Sequence, residues 1–135
     1  MSGPLTLRQL WRRTTDAVGA RHEARWLCEV ATALDGAAFD GALDEPVTDL
    51  MVQHLDAMVG RYRQGEPLQY VLGRWAFRRL DLAVDPRVLI PRPETELLVE
   101  VALDLLDGRP TRRVADLGTG SGAIGLALAA ELPID

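Results

Sequence analysis

The sequence predicts a small α-helical domain, a β-hairpin linker and then the start of an α/β domain, in that order along 135 residues. Three observations carry the prediction. Apolar residues recur at helical three-and-four spacing up to about residue 64. Between Trp75 and Val84 they alternate with polar ones. Beyond that, an apolar run at 113–117 passes through a glycine-rich turn into a second apolar stretch.

Taken in order, Thr6 precedes Leu7, Leu10, Trp11, Thr14 and Val18, which share one helical face. Thr6 is the expected N-cap, because a hydroxyl there accepts from an orphan N–H of the first turn. A second helix is expected from about residue 21 to 34, with Ala24, Leu27, Cys28, Ala31 and Leu34 inward, and Gly36 stops it. Pro46 and Thr48 open a third, which carries Leu50, Met51, Leu55, Met58, Val59 and Tyr62, and Gly65 closes it. Three such stripes bury one another as a small bundle.

After Pro67 the period changes. Trp75-Ala76-Phe77 and Leu80-Asp81-Leu82-Ala83-Val84 read as the strands of a hairpin, and Val88-Leu89-Ile90 is a short apolar run ended by Pro91 and Pro93. Pro93 suits the first turn of a helix whose positive end Glu94 and Glu96 complement. Its inward residues are expected to be Leu97, Leu98, Val101, Leu105 and Leu106, up to Gly108-Arg109-Pro110. Residues 113–117 then read as a buried strand, 118–122 as a glycine loop, and 123 to about 132 as a helix. A strand, a loop and one helix are half of a βαβ unit, and a parallel strand needs a neighbour. The sequence is therefore expected to be the opening part of a longer, truncated α/β domain.

Composition narrows the function. Hydrophobic residues at 47% and charged residues at 26% fit an ordinary folding chain. The apolar runs are broken by Arg, Asp or Glu well short of the roughly 20 residues of a spanning helix, and no apolar leader segment opens the sequence. A cytoplasmic protein with no membrane partner is expected. The net charge of −5 argues against direct binding to nucleic-acid backbone, which needs an excess of basic residues. All 15 basic residues are Arg, and neither Lys nor Asn occurs, a bias typical of GC-rich coding. A lysine nucleophile, a Schiff base and a P-loop are thereby excluded. Cys28 is the single cysteine and is expected in the core, and His22 and His54 have no ligand cluster around them, so no metal site is expected. Trp11, Trp26 and Trp75 are expected as core anchors, and Arg74, Arg78 and Arg79 on a solvated strand face.

The chemistry lies in Asp116-Leu117-Gly118-Thr119-Gly120-Ser121-Gly122. At a strand-to-helix turn, glycines admit positive φ angles and let a ligand approach the backbone, while free N–H groups at the helix start receive its polar atoms. Two cofactor readings fit this run. With Ala123 in the last place it matches the dinucleotide fingerprint of a nicotinamide-dependent oxidoreductase, whose acidic partner lies about 20 residues further on, beyond Asp135. An acid two residues before the first glycine is instead the pattern of S-adenosylmethionine-dependent methyltransferases.

A second constellation bears on the choice. Gly65-Glu66-Pro67, Tyr70 and Gly73 are followed by the hairpin and then by Leu89-Ile90-Pro91-Arg92-Pro93-Glu94-Thr95-Glu96-Leu97-Leu98-Val99-Glu100. With the glycine loop after it, this order resembles the release-factor glutamine methyltransferases, the PrmC/HemK family, closely from Gly65 to Leu132 and in kind over the helices before. The resemblance implies a helical substrate-recognition domain at 1–64, a hairpin linker at 65–92 and the first part of a Rossmann-like α/β methyltransferase domain at 93–135. It implies S-adenosylmethionine as cofactor and a peptide-chain release factor as partner, methylated on the glutamine side-chain amide of its Gly-Gly-Gln motif. Position by position, Asp116, Gly118, Thr119, Gly120, Ser121 and Gly122 match the cofactor-binding residues, and Thr95 is a further candidate for the methionine end. Arg92 has two readings, a cofactor or substrate contact and an ion pair with Glu96. The family's catalytic Asn-Pro-Pro-Tyr is absent from a sequence with no Asn, so no catalytic residue is assigned and the chain by itself is expected to be inactive. A helical protein-binding module is the remaining alternative.

Overall fold

A computed structural model of the chain describes residues 4–132 and divides into two units, one ending at Leu72 and the other beginning at Gly73. The first contains α1 (Leu7–Val18), α2 (Arg21–Thr32), α3 (Gly36–Gly41), α4 (Asp49–Arg63) and α5 (Leu68–Leu72). Thr6 caps α1 as expected: Gln9 N–H donates to its hydroxyl, and its own N–H donates to Gln9 Oε1 at 3.0 Å. Thr48 caps α4 by accepting from Met51 N–H at 3.2 Å. The stripes of α1, α2 and α4 meet in one core that includes Leu7, Leu10, Leu27, Cys28, Leu55 and Met58, all buried. Leu50 departs from the expectation and is 75% exposed. It lies five residues before Leu55, about 140° round the helix at 3.6 residues per turn.

Two short helices were not legible as such. Glycines bracket α3, so its sequence reads as a stop and a loop, yet Phe39 within it is fully buried. Its ring meets Trp11 edge-on, with centroids 5.7 Å apart. In α5, Leu68 and Val71 close the same core against α2 and α4. The approach to α5 is fixed by Arg61, whose guanidinium donates to both oxygens of Glu66 at 2.7 and 2.6 Å and to the Tyr70 carbonyl at 3.2 Å. That pairing holds the Glu66 carboxyl below its ordinary range. Residues 65–72 thus pack with the helical unit, whose edge falls at 72/73. Among the tryptophans Trp11 is an anchor, its indole N–H donating to the Arg21 carbonyl at 3.3 Å. Trp26 is exposed and stacks edge-on with His22 instead.

The second unit contains β1 (Arg74–Phe77), β2 (Leu80–Ala83), α6 (Thr95–Leu106) and α7 (Ala123–Glu131). The strands form an antiparallel hairpin with Arg74 opposite Ala83 and Phe77 opposite Leu80, so Arg78-Arg79 is a two-residue turn. Arg78 has φ +50°, the positive angle such turns need at their first position. Successive N–H groups from Thr95 to Leu97 donate three residues back in a turn that leads into α6, with Glu94 as N-cap, so Pro93 stands just before the helix and not in its first turn. At the far end Arg109 and Arg112 donate to the Leu105 and Leu106 carbonyls, satisfying acceptors that the helix leaves open.

Two expectations for this unit are corrected. Residues 113–117 form no strand; burial alternates along 111–116 as in an extended chain, but no ladder partner lies beside them among the described residues. The sheet among the described residues is the two-stranded hairpin. Leu97, Leu98, Val101 and Leu105, expected inward on α6, are exposed, and Val99 is buried instead. A helix apolar on two sides needs a second layer, and among the described residues α7 is the helix packed against α6. No helix of the described residues is long and apolar enough to cross a membrane, and none of their His, Cys, Asp and Glu cluster as metal ligands.

Leu27 sits at the centre of the first core, so Leu27→Ala is expected to destabilise the helical unit by about 2–5 kcal/mol, read as a lower urea midpoint for loss of helical circular dichroism. Burial pushes the Cys28 thiol up to about 11. Native protein at pH 8 is therefore expected to resist iodoacetamide, and protein unfolded in urea to be alkylated at that one site, as mass spectrometry would show.

Candidate functional site

The turn before α7 is shaped by glycines at left-handed φ, +70° at Gly118, +56° at Gly120 and +80° at Gly122. Gly122 is the N-cap of α7, and its N–H donates to the Thr119 carbonyl at 2.9 Å. A Cβ at Gly122 would also press to 3.2 Å from Leu126 Cδ1, so position 122 is held to glycine by backbone and by space. At Gly118 no neighbouring atom stands within 4 Å of a Cβ, and only the backbone angle demands glycine. Within the loop, Asp116 Oδ2 accepts from the Thr119 hydroxyl at 2.9 Å and from Gly125 N–H at 3.1 Å.

A cavity of about 640 Å³ lies between this loop and the exit of the hairpin, lined by Gly120 and Ser121 on one side and by Gly73, Ala83, Val84, Asp85, Arg87 and Val88 on the other. That volume is in the range of small-ligand pockets. At its rim Arg87 donates to both carboxylate oxygens of Asp85, at 2.9 Å from Nε to Oδ1 and 2.5 Å from Nη2 to Oδ2. Its backbone N–H adds a bond at 2.9 Å. Together these hold the Asp85 carboxyl down at about 2.

Arg78 sets the position of the hairpin against the helices. Its Nε and Nη2 grip Glu131 at the end of α7 at 2.5 and 2.8 Å, Nη1 reaches Glu100 on α6 at 3.4 Å, and its backbone N–H donates to Glu96 Oε1 at 2.8 Å. With its side chain only 16% exposed, Arg78 is not part of the solvated strand face expected for it. Arg74 keeps to that face, paired with Asp81 at 2.5 Å across the hairpin. Glu96 serves Arg78 and not Arg92, which forms no ion pair among the described residues.

Of the residues singled out in sequence, the structure brings Gly120 and Ser121 to the cavity and binds Asp116 to Thr119, while Gly118 and Gly122 shape the turn. Thr95 starts α6, its N–H on the Arg92 carbonyl, and is not a lining residue of the cavity. Sequence reasoning missed Gly125 and the Asp85–Arg87 rim. A glycine nine residues after an acid, inside a helix, was a usable signal for the first; no local pattern marks the second.

The family model of the PrmC N-terminal domain matches residues 6–73, about half of the chain. Release factor glutamine methyltransferase of Salmonella typhimurium is 46% identical over 119 residues, 87% of this chain and 42% of that protein. The protein of the same name from Escherichia coli is 48% identical over 114 residues, 84% of this chain and 40% of its own length. That of Coxiella burnetii is 56% identical over 79 residues, 58% and 28% of the two chains. The helical unit defines a PrmC N-terminal domain. The chain belongs to the PrmC family of release factor glutamine methyltransferases, over the N-terminal part of those proteins, and spans about two-fifths of the length of the first two relatives.

The Arg78–Glu131 pair has a pH signature. Arg78 lowers the Glu131 carboxyl below its ordinary 4.5. The stability it adds is fully present above that unfolded value and is lost as the pH falls through the lower folded one. Arg78→Ala is expected to lower the urea midpoint of the second unit at neutral pH and to flatten the decline below pH 4.5; an unchanged acid limb would show that the pair carries no stability.

Proposed function

We propose that the chain supplies the recognition domain and the first cofactor-binding loop of a cytoplasmic, S-adenosylmethionine-dependent methyltransferase acting on the Gly-Gly-Gln glutamine of peptide-chain release factors. The observation that carries the reading is the extent of the similarity. An identity of 46–48% over at least 84% of the chain is too long to lie in either unit alone, and the proteins matched are named for that activity.

The residues present fit the cofactor. A turn with glycines at 118, 120 and 122, an acid at its entrance, and a cavity of small-ligand size lined by Gly120 and Ser121 support the reading. When bound, S-adenosylmethionine supplies an electrophilic methyl group on a sulfonium centre. In this reading Asp116 and the glycines hold its methionine end, Gly120 and Ser121 form the wall of the cavity, and Thr95 is a further contact. The helical unit docks the release factor. The amide nitrogen of glutamine is a weak nucleophile and must be oriented by acceptors, a positioning effect on the order of 10⁵ M in effective molarity. In the family an Asn does this, and the sequence has none. The chain alone therefore binds and does not transfer.

Calorimetry of the full chain with S-adenosylmethionine and, in parallel, NAD tests the assignment. Binding of the first without the second is expected; binding of NAD alone would move the loop to the oxidoreductase class. A radiolabelled-methyl assay with a release factor is expected to give no transfer, and capture of the release factor with no cofactor binding would reduce the chain to a docking module.

A further inference from the structure

We propose that the outer edge of β2, at Asp81 and Ala83, is a docking strand for an extended peptide, the glutamine-bearing loop of the protein substrate, whose side chain it leads into the cavity. The proposal rests on the methyltransferase reading, which supplies a peptide as substrate.

The hairpin register decides which backbone groups are free. Val84 N–H donates to the Gly73 carbonyl at 3.1 Å, so 73 and 84 are a hydrogen-bonded pair. In an antiparallel ladder such pairs alternate with non-hydrogen-bonded ones. Trp75–Leu82 and Phe77–Leu80 therefore turn their N–H and C=O groups inward, whereas Arg74–Ala83 and Ala76–Asp81 turn theirs outward. Among the described residues nothing pairs with the outward backbone groups of Ala76, Asp81 or Ala83. All three residues are exposed, while Phe77, Leu82 and Val84 are buried on the packed face. An open edge of this kind is a template for another strand.

The two edges differ in what lies beside them. Ala83 lines the cavity opposite Gly120 and Ser121, and neither Arg74 nor Ala76 does. A strand added beside Ala83 thus runs out at the cavity, where its next side chain faces the glycine loop. In strand addition the main-chain bonds give affinity and a side-chain pocket gives selection. The edge is too short for a second copy of the chain. It offers two outward residues, one of them Asp81 in an ion pair with Arg74 at 2.5 Å, whereas a stable association buries about 800 Å² on each partner. A peptide fits because the cavity adds a second point of attachment. Glycines next to the glutamine suit this edge, since they bring no Cβ against it.

The test uses the full chain and a synthetic release-factor peptide centred on Gly-Gly-Gln. On binding, exchange of the Asp81 and Ala83 amide hydrogens is expected to slow about ten-fold and that of Ala76 to stay unchanged. Ala83→Pro removes an N–H that makes no ladder bond, a change an edge strand tolerates, and is expected to weaken the peptide about ten-fold. Ala76→Pro, the same change on the other edge, is expected to leave affinity within about two-fold of wild type. A Gly-Gly-Ala peptide is expected to bind about ten-fold more weakly, held by the edge alone. The proposal is overturned by a peptide that leaves the Asp81 and Ala83 amides unprotected, by equal affinity of the two peptides, or by no binding at millimolar concentration. Self-association in sedimentation that Ala83→Pro abolishes would give the edge to a second copy and overturn it too. Each of these leaves the methyltransferase reading standing where S-adenosylmethionine binds. A chain that binds neither S-adenosylmethionine nor intact release factor overturns that reading, and the proposal with it.

Discussion

Arg78 stands at the turn of a hairpin that has no third strand beside it among the described residues, and its side chain and backbone reach three acids on two helices. The rest of the second unit follows from that reach. Two strands alone are marginal in water, and α6 and α7 pack against each other. Tying the tip of the hairpin to Glu96, Glu100 and Glu131 gives the hairpin a fixed place, and so sets its exit, residues 83–88, across from Gly120 and Ser121. Charge-assisted, paired N–H···O contacts are directional as well as strong, which makes a guanidinium better suited to this than an apolar contact of similar size.

The helical unit is organised on a different principle. Threonines cap α1 and α4, and the helices are joined through a continuous apolar core, while the ion pairs Arg8–Asp44 and Arg13–Asp56 lie on the exposed rim, where such pairs contribute little. Packing defines this unit and polar tethers define the other. The difference matches their contents: the first presents a finished surface, whereas the second carries a loop whose acid, hydroxyl and amide are arranged around open space.

What could be read in the sequence divides along the same line. Helices with a full apolar stripe and a capping threonine, α1 and α4, were legible to within a residue or two, because periodicity and cap chemistry are local. The hairpin was legible from its two-residue alternation, and the span of α7 from the glycine turn that opens it. α3 and α5 were hidden, being too short to show a period and bounded by Gly or Pro, and their stability comes from Phe39, Leu68 and Val71 entering a core built by other helices. The strand expected at 113–117 failed because a strand is a statement about neighbours, which no local pattern supplies. At the site, glycine spacing revealed the loop, but the partners of Asp116 and the burial of Arg78 depend on contacts across 9 and 53 residues of chain.

The backbone records the composition in one further way. Ala33 and Arg78 both hold positive φ angles, +55° and +50°, in a region that residues with a Cβ enter at some cost and that asparagine tolerates best after glycine. A sequence without asparagine has lost that middle option. At Arg78 the ion pairs offset the strain, and the residue that suffers it also makes them. At Ala33 nothing comparable exists: its N–H closes the end of α2 on the Val30 carbonyl at 3.4 Å and its methyl group bears the strain. Two left-handed positions are thus held by residues with a Cβ, one at a helix end and one at a turn whose side chain is also the anchor of the hairpin.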